Sequence, residues 1–271
     1  MQVERCAFYE PEQILRAVAD KVAKAAQSGE PVDYLTFVPD GEPTLDVYLG
    51  AEIALLRELG IPIAVITNSS LISRKDVRDE LATADWVSLK VDAVDEELWR
   101  QVDRPQGTLQ LEGILQGMIE FSRSFAGELV TETMLVEGLN DSVASVTEIA
   151  DFLARLRPSR SYVSIPIRPP AESWVRPPDE AVVNRAYQLM STKLDQVEYL
   201  VGYEGNAFAS SGDVEQDLLS ITAVHPMRQD AVDALLERAG ADWTSVHNLL
   251  AQQRLVETRF AGWTFYMRKL R

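Results

Sequence analysis

Gly41, Glu42 and Pro43 form a turn that follows a short apolar run over residues 34–38. Glycine permits a close backbone approach and proline fixes the turn, so the Glu42 carboxylate is directed out of the expected strand end. A carboxylate in that position can accept hydrogen bonds from an ammonium group. The alternative is a capped loop with incidental acids, and this segment alone leaves both interpretations open.

The next two apolar runs also end in polar side chains. Thr67 and Asn68 offer a hydroxyl and an amide after the run 63–67, and Lys90 and Asp92 end the run 86–91. Residues two apart on a strand point the same way, so Lys90 and Asp92 share a face. Lys90 is therefore expected to form an ion pair with Asp92 or Glu42, or to bind a ligand carboxylate.

A fourth run, residues 129–136, alternates in character. Thr131 and Thr133 point to one side, and Glu132 and Met134 to the other. A buried carboxylate in an apolar strand is costly unless it is paired, which favours a site at Glu132. Met134 could pack against a flat ring of a ligand, or it could belong to the core.

Arg168 follows the fifth run, residues 162–167, and is braced by Pro169 and Pro170. A guanidinium at a strand end suits a carboxylate or phosphate. A surface ion pair with Glu172 is the alternative.

These residues require a scaffold of alternating strands and helices. The apolar runs are nearly continuous, which is typical of parallel strands covered on both faces. Strands are predicted over 34–38, 63–67, 86–91, 129–136, 162–167 and 197–201, and helices over 11–26, 49–59, 74–84, 109–125, 143–156 and 180–194. Such a chain forms an open doubly wound sheet or a barrel, and both place their chemistry at the carboxyl ends of the strands.

The pattern changes after residue 217. Helices are predicted over 228–239 and 243–253, followed by a hairpin of 255–258 with 263–267, which is the outline of a winged helix. Residues 218–271 carry seven basic and five acidic side chains, and residues 1–217 carry a net charge of −18. We therefore predict domains at 1–217 and 218–271. Protein or intramolecular docking by the second domain is favoured over DNA binding.

Composition limits the classes of function. The net charge of −16 disfavours tight binding of nucleic acid. The sequence has no apolar run long enough to span a membrane and no signal-peptide pattern at its start, which predicts a cytoplasmic protein. Cys6 is the single cysteine, so thiolates of this chain alone cannot form a disulfide, a zinc site or an iron–sulfur site.

With these elements in view, the chain resembles the radical S-adenosylmethionine superfamily, in particular the iron–sulfur oxidoreductases related to the tRNA wyosine-synthesis enzymes. The resemblance covers nearly the whole chain. Residues 40–45 resemble the glycine–glutamate–proline element, which implies that Glu42 binds the amino group of S-adenosylmethionine. Thr67, Asn68 and Ser69 resemble a threonine–asparagine–glycine element, with Ser69 in place of the glycine.

The next two strands complete the resemblance. Ser88, Lys90 and Asp92 resemble an element that is implied to contact the carboxylate and ribose of the cofactor. The strand that contains Glu132 and Met134 is implied to lie beside the adenosine. The implied fold is a parallel β/α partial barrel of the TIM type without its first strand, followed by a small C-terminal winged-helix module.

The cluster motif of the family is absent from the sequence. Members hold a 4Fe-4S cluster through CxxxCxxC, whereas Cys6 stands alone in a stretch, residues 4–9, that resembles the segment after that motif. The resemblance implies that a strand and the cluster loop are missing upstream. For the full-length protein it implies reductive cleavage of S-adenosylmethionine to a 5'-deoxyadenosyl radical, with a flavodoxin or ferredoxin as electron donor.

Other functions stay open at this point. This chain by itself is expected to be an inactive body with a cofactor pocket, or a non-catalytic relative that binds S-adenosylmethionine, a nucleotide or a partner. A transcription regulator with a ligand-sensing barrel is a third hypothesis, which the weak basic charge of the C-terminal module disfavours. A tRNA substrate follows from the resemblance alone, and the charge of residues 1–217 disfavours it.

Overall fold

A sheet of six parallel strands, paired in the order of the sequence, organises the first part of the molecule. The computed structural model describes residues 2–27, 29, 31–38, 41–201, 208 and 213–269. These residues fall into two compact units. The first comprises Met1–Val22, Pro31–Pro166 and Trp174–Val201, and the second Ala23–Glu30, Ile167–Ser173 and Gly202–Arg271.

The strands of this sheet lie close to the predicted runs. They are β1 (Leu35–Phe37), β2 (Ile63–Thr67), β3 (Trp86–Lys90), β4 (Glu128–Met134), β5 (Arg160–Ser164) and β6 (Val197–Leu200). Every neighbouring pair is parallel, and the register aligns Ile66 with Ser88, and Lys90 with Glu132. The predicted parallel α/β fold is confirmed. Strand β5 ends before Pro166, which has no N–H to continue the ladder, and so it stops earlier than predicted.

One helix precedes β1, and the others connect successive strands. They are α1 (Pro11–Gln27), α2 (Leu49–Leu56), α3 (Lys75–Leu81), α4 (Glu96–Val102), α5 (Leu111–Ser124), α6 (Val143–Leu156) and α7 (Glu180–Ser191). Short 3-10 turns cover Pro43–Leu45 and Arg57–Leu59. Helix α4 was not predicted. The core of this unit contains Val65, Leu89 and Val163 from the strands and Phe121 and Leu153 from the helices, all fully buried. The burial of apolar area in this core is the main contribution to the stability of the unit.

The second unit contains α8 (Val214–Val224), β7 (Met227–Arg228), α9 (Gln229–Ala239), α10 (Thr244–Ala251), β8 (Leu255–Phe260) and β9 (Trp263–Arg268). Its three strands form an antiparallel sheet in the order β7–β9–β8. Ala261 (φ 48°) and Gly262 (φ 83°) form the predicted hairpin turn, and two successive positive φ angles are typical of a type I′ turn.

The winged-helix interpretation of this unit stays a prediction, as do the two domain ranges. The predicted boundary at residue 217 lies within α8, because it was placed at a change of charge and not at the end of an element. Among the described residues, none of the helices combines the length and apolar character that a membrane crossing requires.

Candidate functional site

Glu42 begins the 3-10 turn after β1 and is almost completely buried, with 6% exposed. Its Oε1 accepts hydrogen bonds from Thr44 N (3.1 Å), Thr44 Oγ1 (2.7 Å) and Thr67 Oγ1 (2.6 Å). Its Oε2 accepts one from Asn68 N at 2.7 Å. Oε2 thus receives one of the four described hydrogen bonds, and it can accept a further donor.

Burial raises the pKa of the Glu42 carboxyl, and the hydrogen bonds from Thr67, Thr44 and Asn68 oppose that rise. All four contacts are N–H or O–H donors, which favour the charged form. The result is a carboxylate fixed in place before any ligand arrives. The prediction that the turn directs Glu42 from the strand end agrees with this geometry, and Gly41 at φ 149° supplies a conformation that favours glycine.

The loop after β2 holds Glu42 from the other side. Thr67 Oγ1 donates to Glu42 and accepts from Ser69 N at 2.9 Å. Asn68 Oδ1 accepts from Ser70 N at 2.9 Å, so the exposed Asn68 side chain shapes the turn. The loop therefore connects the ends of β1 and β2 through one carboxylate.

Lys90 lies at the end of β3 among carboxylates. Its Nζ is 3.2 Å from Asp92 Oδ2 and 3.7 Å from Glu132 Oε1. Burial alone lowers the pKa of Lys90, but the charges of Asp92, Glu132 and Asp103 outweigh it and raise the pKa above its ordinary value. Of the two structural partners predicted for Lys90, the structure shows Asp92 and adds Glu132, while Glu42 is held by other donors.

Asp103 follows α4 and was not predicted as a site residue. Burial, the charge of Asp92 and a hydrogen bond with Asp92 raise the pKa of the Asp103 carboxyl to about 8, and Lys90 opposes this rise. The predicted site residues lie in strands or in the loops that follow them, whereas Asp103 follows a short helix. The local sequence Asp103-Arg104-Pro105 does not indicate a cofactor site.

Strand β4 separates its two faces as predicted. Thr131 Oγ1 donates to Ser161 Oγ (2.8 Å) and Thr133 Oγ1 donates to Val91 O (2.8 Å), so both threonines are satisfied in the buried layer. On the other face, Glu132 Oε1 accepts from Ser164 Oγ at 2.8 Å. The cost of the carboxylate in this strand is thus reduced by Ser164 and Lys90.

A cavity of about 530 Å³ opens at these strand ends. Its lining includes six predicted site residues, namely Gly41, Glu42, Asn68, Lys90, Asp92 and Met134, together with Asp103. Its apolar wall comes from α4, α5 and the loop between them, with Trp99, Leu109 and Ile114 among its residues. Its volume and mixed lining are typical of sites for small organic ligands.

The other predicted site residues do not line this cavity. Pro43 begins the 3-10 turn, Thr67 supports Glu42, Glu132 acts through Lys90, and Ser88 is buried within β3. Arg168 lies in Ile167–Ser173, which belongs to the second unit. Its predicted contact with a carboxylate or phosphate stays a prediction.

The donors present do not fit a 4Fe-4S cluster. Cys6 is the single cysteine of the sequence, and its Sγ accepts a hydrogen bond from Gln2 Nε2 at 3.3 Å. Within the described ranges, no group of three or more His, Cys, Asp or Glu side chains is arranged to hold a metal ion. A cluster of this kind needs several thiolates, which residues 1–271 by themselves do not supply.

Comparison with known proteins identifies the family of this chain. The family model described as the radical SAM superfamily matches residues 5–153, which is more than half of the chain. The chain therefore belongs to the radical SAM superfamily.

At the level of individual proteins, a UPF0026 protein of Methanocaldococcus jannaschii is 41% identical over 271 residues, covering 99% of this chain and 84% of that protein. This similarity places the chain among the UPF0026 proteins. An S-adenosylmethionine-dependent nucleotide dehydratase of a Thermoplasmatales archaeon is 32% identical over 95 residues, covering 31% of this chain and 34% of that protein.

Among solved structures, TYW1 with a lysine–pyruvate adduct bound matches with a TM-score of 0.55 and 17% identity, over 71% of this chain and 66% of that one. At this identity the match shows the fold alone. The predicted resemblance to the radical SAM superfamily and to the fold of the wyosine enzymes is confirmed.

Proposed function

We propose that this chain binds S-adenosylmethionine in the cavity at the carboxyl ends of the strands. The observation that carries the proposal is Glu42, a buried carboxylate held by four donors in the wall of a cavity that also contains Lys90. Glu42 would accept from the ammonium group of the ligand through Oε2. Lys90 would donate to its carboxylate, and such charge-assisted hydrogen bonds are stronger than neutral ones.

The remaining walls suit the nucleoside. Asp92 is buried and lines the cavity, where a carboxylate oxygen can accept from a ribose hydroxyl. Met134 and the apolar residues of α4 and α5 offer a surface on which an adenine ring would pack. Membership in the radical SAM superfamily supports the same ligand.

We propose reductive cleavage of the ligand only for a longer protein that contains this chain. Residues 1–271 contain one cysteine, so we propose binding for this chain and radical formation for a protein in which a CxxxCxxC segment precedes it. That protein would take its electron from a flavodoxin or ferredoxin in the cytoplasm. Its substrate is left unassigned, and the negative charge of this chain disfavours tRNA.

A non-catalytic relative that binds S-adenosylmethionine or a partner is the second candidate. The single cysteine favours it. Anaerobic reconstitution of an upstream-extended protein distinguishes the two, because the enzyme would produce 5'-deoxyadenosine. A loaded cluster without cleavage would support the binder.

The binding proposal is tested by calorimetry on this chain with the variant Glu42→Gln. We expect the affinity for S-adenosylmethionine to fall about tenfold or more, since a hydrogen bond to a charged group contributes about 1.5–3 kcal/mol. Glu52→Gln is the matched control, because Glu52 is equally buried at 5% exposed but does not line the cavity.

We expect Glu52→Gln to keep the affinity of the parent chain. Thermal unfolding of both variants would verify that each is folded. Unchanged affinity in a folded Glu42→Gln variant would refute the assignment.

A further inference from the structure

The cavity contains more negative than positive charge. Glu42, Asp92 and Asp103 line it, and Lys90 is the one cation among the described residues of its wall. Lys90 is also shared with Glu132, which lies 3.7 Å away. The ammonium group of Lys90 therefore faces three carboxyl groups, those of Asp92, Glu132 and Asp103.

Asp103 is the acid for which the proposed function has no role. Its N–H donates to Trp99 O at 2.9 Å, which fixes its backbone at the end of α4. The charged groups that face its carboxyl are Asp92 and Lys90. Asp92 accepts a hydrogen bond from Met134 N at 2.7 Å and pairs with Lys90 at 3.2 Å. Lys90 opposes the rise in the pKa of Asp103, but burial and the charge of Asp92 outweigh it.

The apolar wall increases the effect of the excess negative charge in the cavity. Trp99 is 7% exposed, and Val102 and Leu109 of the same wall are half-buried. Water is displaced from such a wall, so charges beside it interact more strongly than in bulk solvent. Burial and the charge of Asp92 raise the pKa of Asp103 to about 8, and a proton on Asp103 would reduce the excess of negative charge.

We propose that this cavity selects an adenosyl ligand of net positive charge, with Asp103 as the residue that sets the preference. The inference rests on the proposed function. S-adenosylmethionine carries a sulfonium, whereas S-adenosylhomocysteine has the same groups with a neutral thioether and one methyl group less. The cavity attracts the first, accepts the second more weakly, and repels nucleotides that carry phosphates.

The size of the preference follows from Coulomb's law. At an effective dielectric constant near 20, the attraction between a cationic ligand and one net negative charge in the same cavity corresponds to about tenfold or more in affinity. We therefore expect S-adenosylmethionine to bind at least about tenfold more tightly than S-adenosylhomocysteine.

Proton release gives a second signature. A cation in the cavity favours the ionised form of Asp103, so its pKa falls from about 8 on binding. Asp103 is mostly protonated in the free protein at pH 7 and would lose up to about one proton per cationic ligand. The affinity for S-adenosylmethionine would accordingly rise as the pH increases from 6 to 8, while that for S-adenosylhomocysteine would change little.

The experiment is calorimetry of this chain at pH 7 with S-adenosylmethionine, S-adenosylhomocysteine and AMP. Each titration is made in two buffers of different ionisation enthalpy, which gives the number of protons released. We expect the order of affinity S-adenosylmethionine, S-adenosylhomocysteine, AMP, and proton release with the first ligand alone.

Asp103→Asn tests the residue, and Glu97→Gln is its control because Glu97 is an exposed acid of α4, the helix that Asp103 follows, and lies outside the cavity. The asparagine variant should lose the proton release and reduce the preference between the two adenosyl ligands severalfold, and the control should retain both. Equal affinities of the parent chain for the two adenosyl ligands would overturn this inference alone. Absence of binding by any adenosyl ligand would overturn the proposed function with it.

If Asp103→Asn does not fold, two measurements on the parent chain still test the inference. They are the affinities for the three ligands and the number of protons released on binding. Release of a proton with S-adenosylhomocysteine equal to that with S-adenosylmethionine would also contradict the inference.

Discussion

Ser69 adopts a left-handed backbone conformation, with φ of 66°, directly after β2. The residue is 1% exposed, and its Oγ is buried without a hydrogen-bond partner among the described residues. A non-glycine residue in this conformation costs about 1–2 kcal/mol, and an unsatisfied buried hydroxyl adds to that cost. The conformation of Ser69 in the loop after β2 therefore lowers the free energy of unfolding.

Replacement of Ser69 by glycine removes both costs. We expect Ser69→Gly to raise the free energy of unfolding by about 1 kcal/mol, after allowance for the greater freedom of glycine in the unfolded chain. Urea unfolding measures the change. Ser70→Gly is the control, since Ser70 has no positive φ, and it should be neutral or destabilising; a loss of stability in Ser69→Gly would contradict this account.

At the scale of the elements, Asn140 joins the ends of β3 and β4. It is fully buried, and its Nδ2 donates to Asp92 O and Met134 O, both at 2.8 Å. Its Oδ1 accepts from Val136 N at 2.7 Å. One amide side chain thus satisfies three backbone groups around the residue that pairs with Lys90.

Removal of this amide should be costly. We expect Asn140→Ala to lower the free energy of unfolding by about 2–4 kcal/mol, because buried backbone groups lose their partners. Asn184→Ala, on the exposed face of α7, should change stability by less than about 0.5 kcal/mol. Similar values for the two variants in urea unfolding would show that water or the backbone replaces the amide.

The strands and helices also show how much of the structure could be predicted from the sequence. Apolar runs located the strands, and the polar residues after them include Glu42, Asn68, Lys90 and Asp92 of the cavity wall. Helix α4 was missed because seven residues with one buried side chain, Trp99, give little periodicity.

Missing α4 also concealed the residues that it positions. Asp103 and the apolar wall become neighbours of β3 only through the packing of α4 and α5 against the strand ends. Local sequence patterns do not report that packing. Thr67 contacts Glu42 and Glu132 contacts Lys90, and the predicted contacts of these two residues with a ligand stay predictions.

At the scale of the whole molecule, the net charge is −16. Nucleic acids are bound chiefly through neutralised phosphates, so this surface opposes them. We expect tRNA to bind with a dissociation constant weaker than about 10 μM at roughly physiological salt, measured by fluorescence anisotropy. Saturable binding at nanomolar concentrations would contradict this expectation and would favour a nucleic-acid substrate.

The amino-terminal stretch adjoins the cavity, which Gln2 and Val3 help to line. Arg5 anchors the stretch by donating to Thr44 O at 2.9 Å and by pairing with Asp76 and Glu80. Cys6 follows directly and is the only thiol of the sequence. Maleimide chemistry would therefore attach a single fluorophore to the unmutated chain, three residues from the cavity wall, where its emission can report the arrival of a ligand.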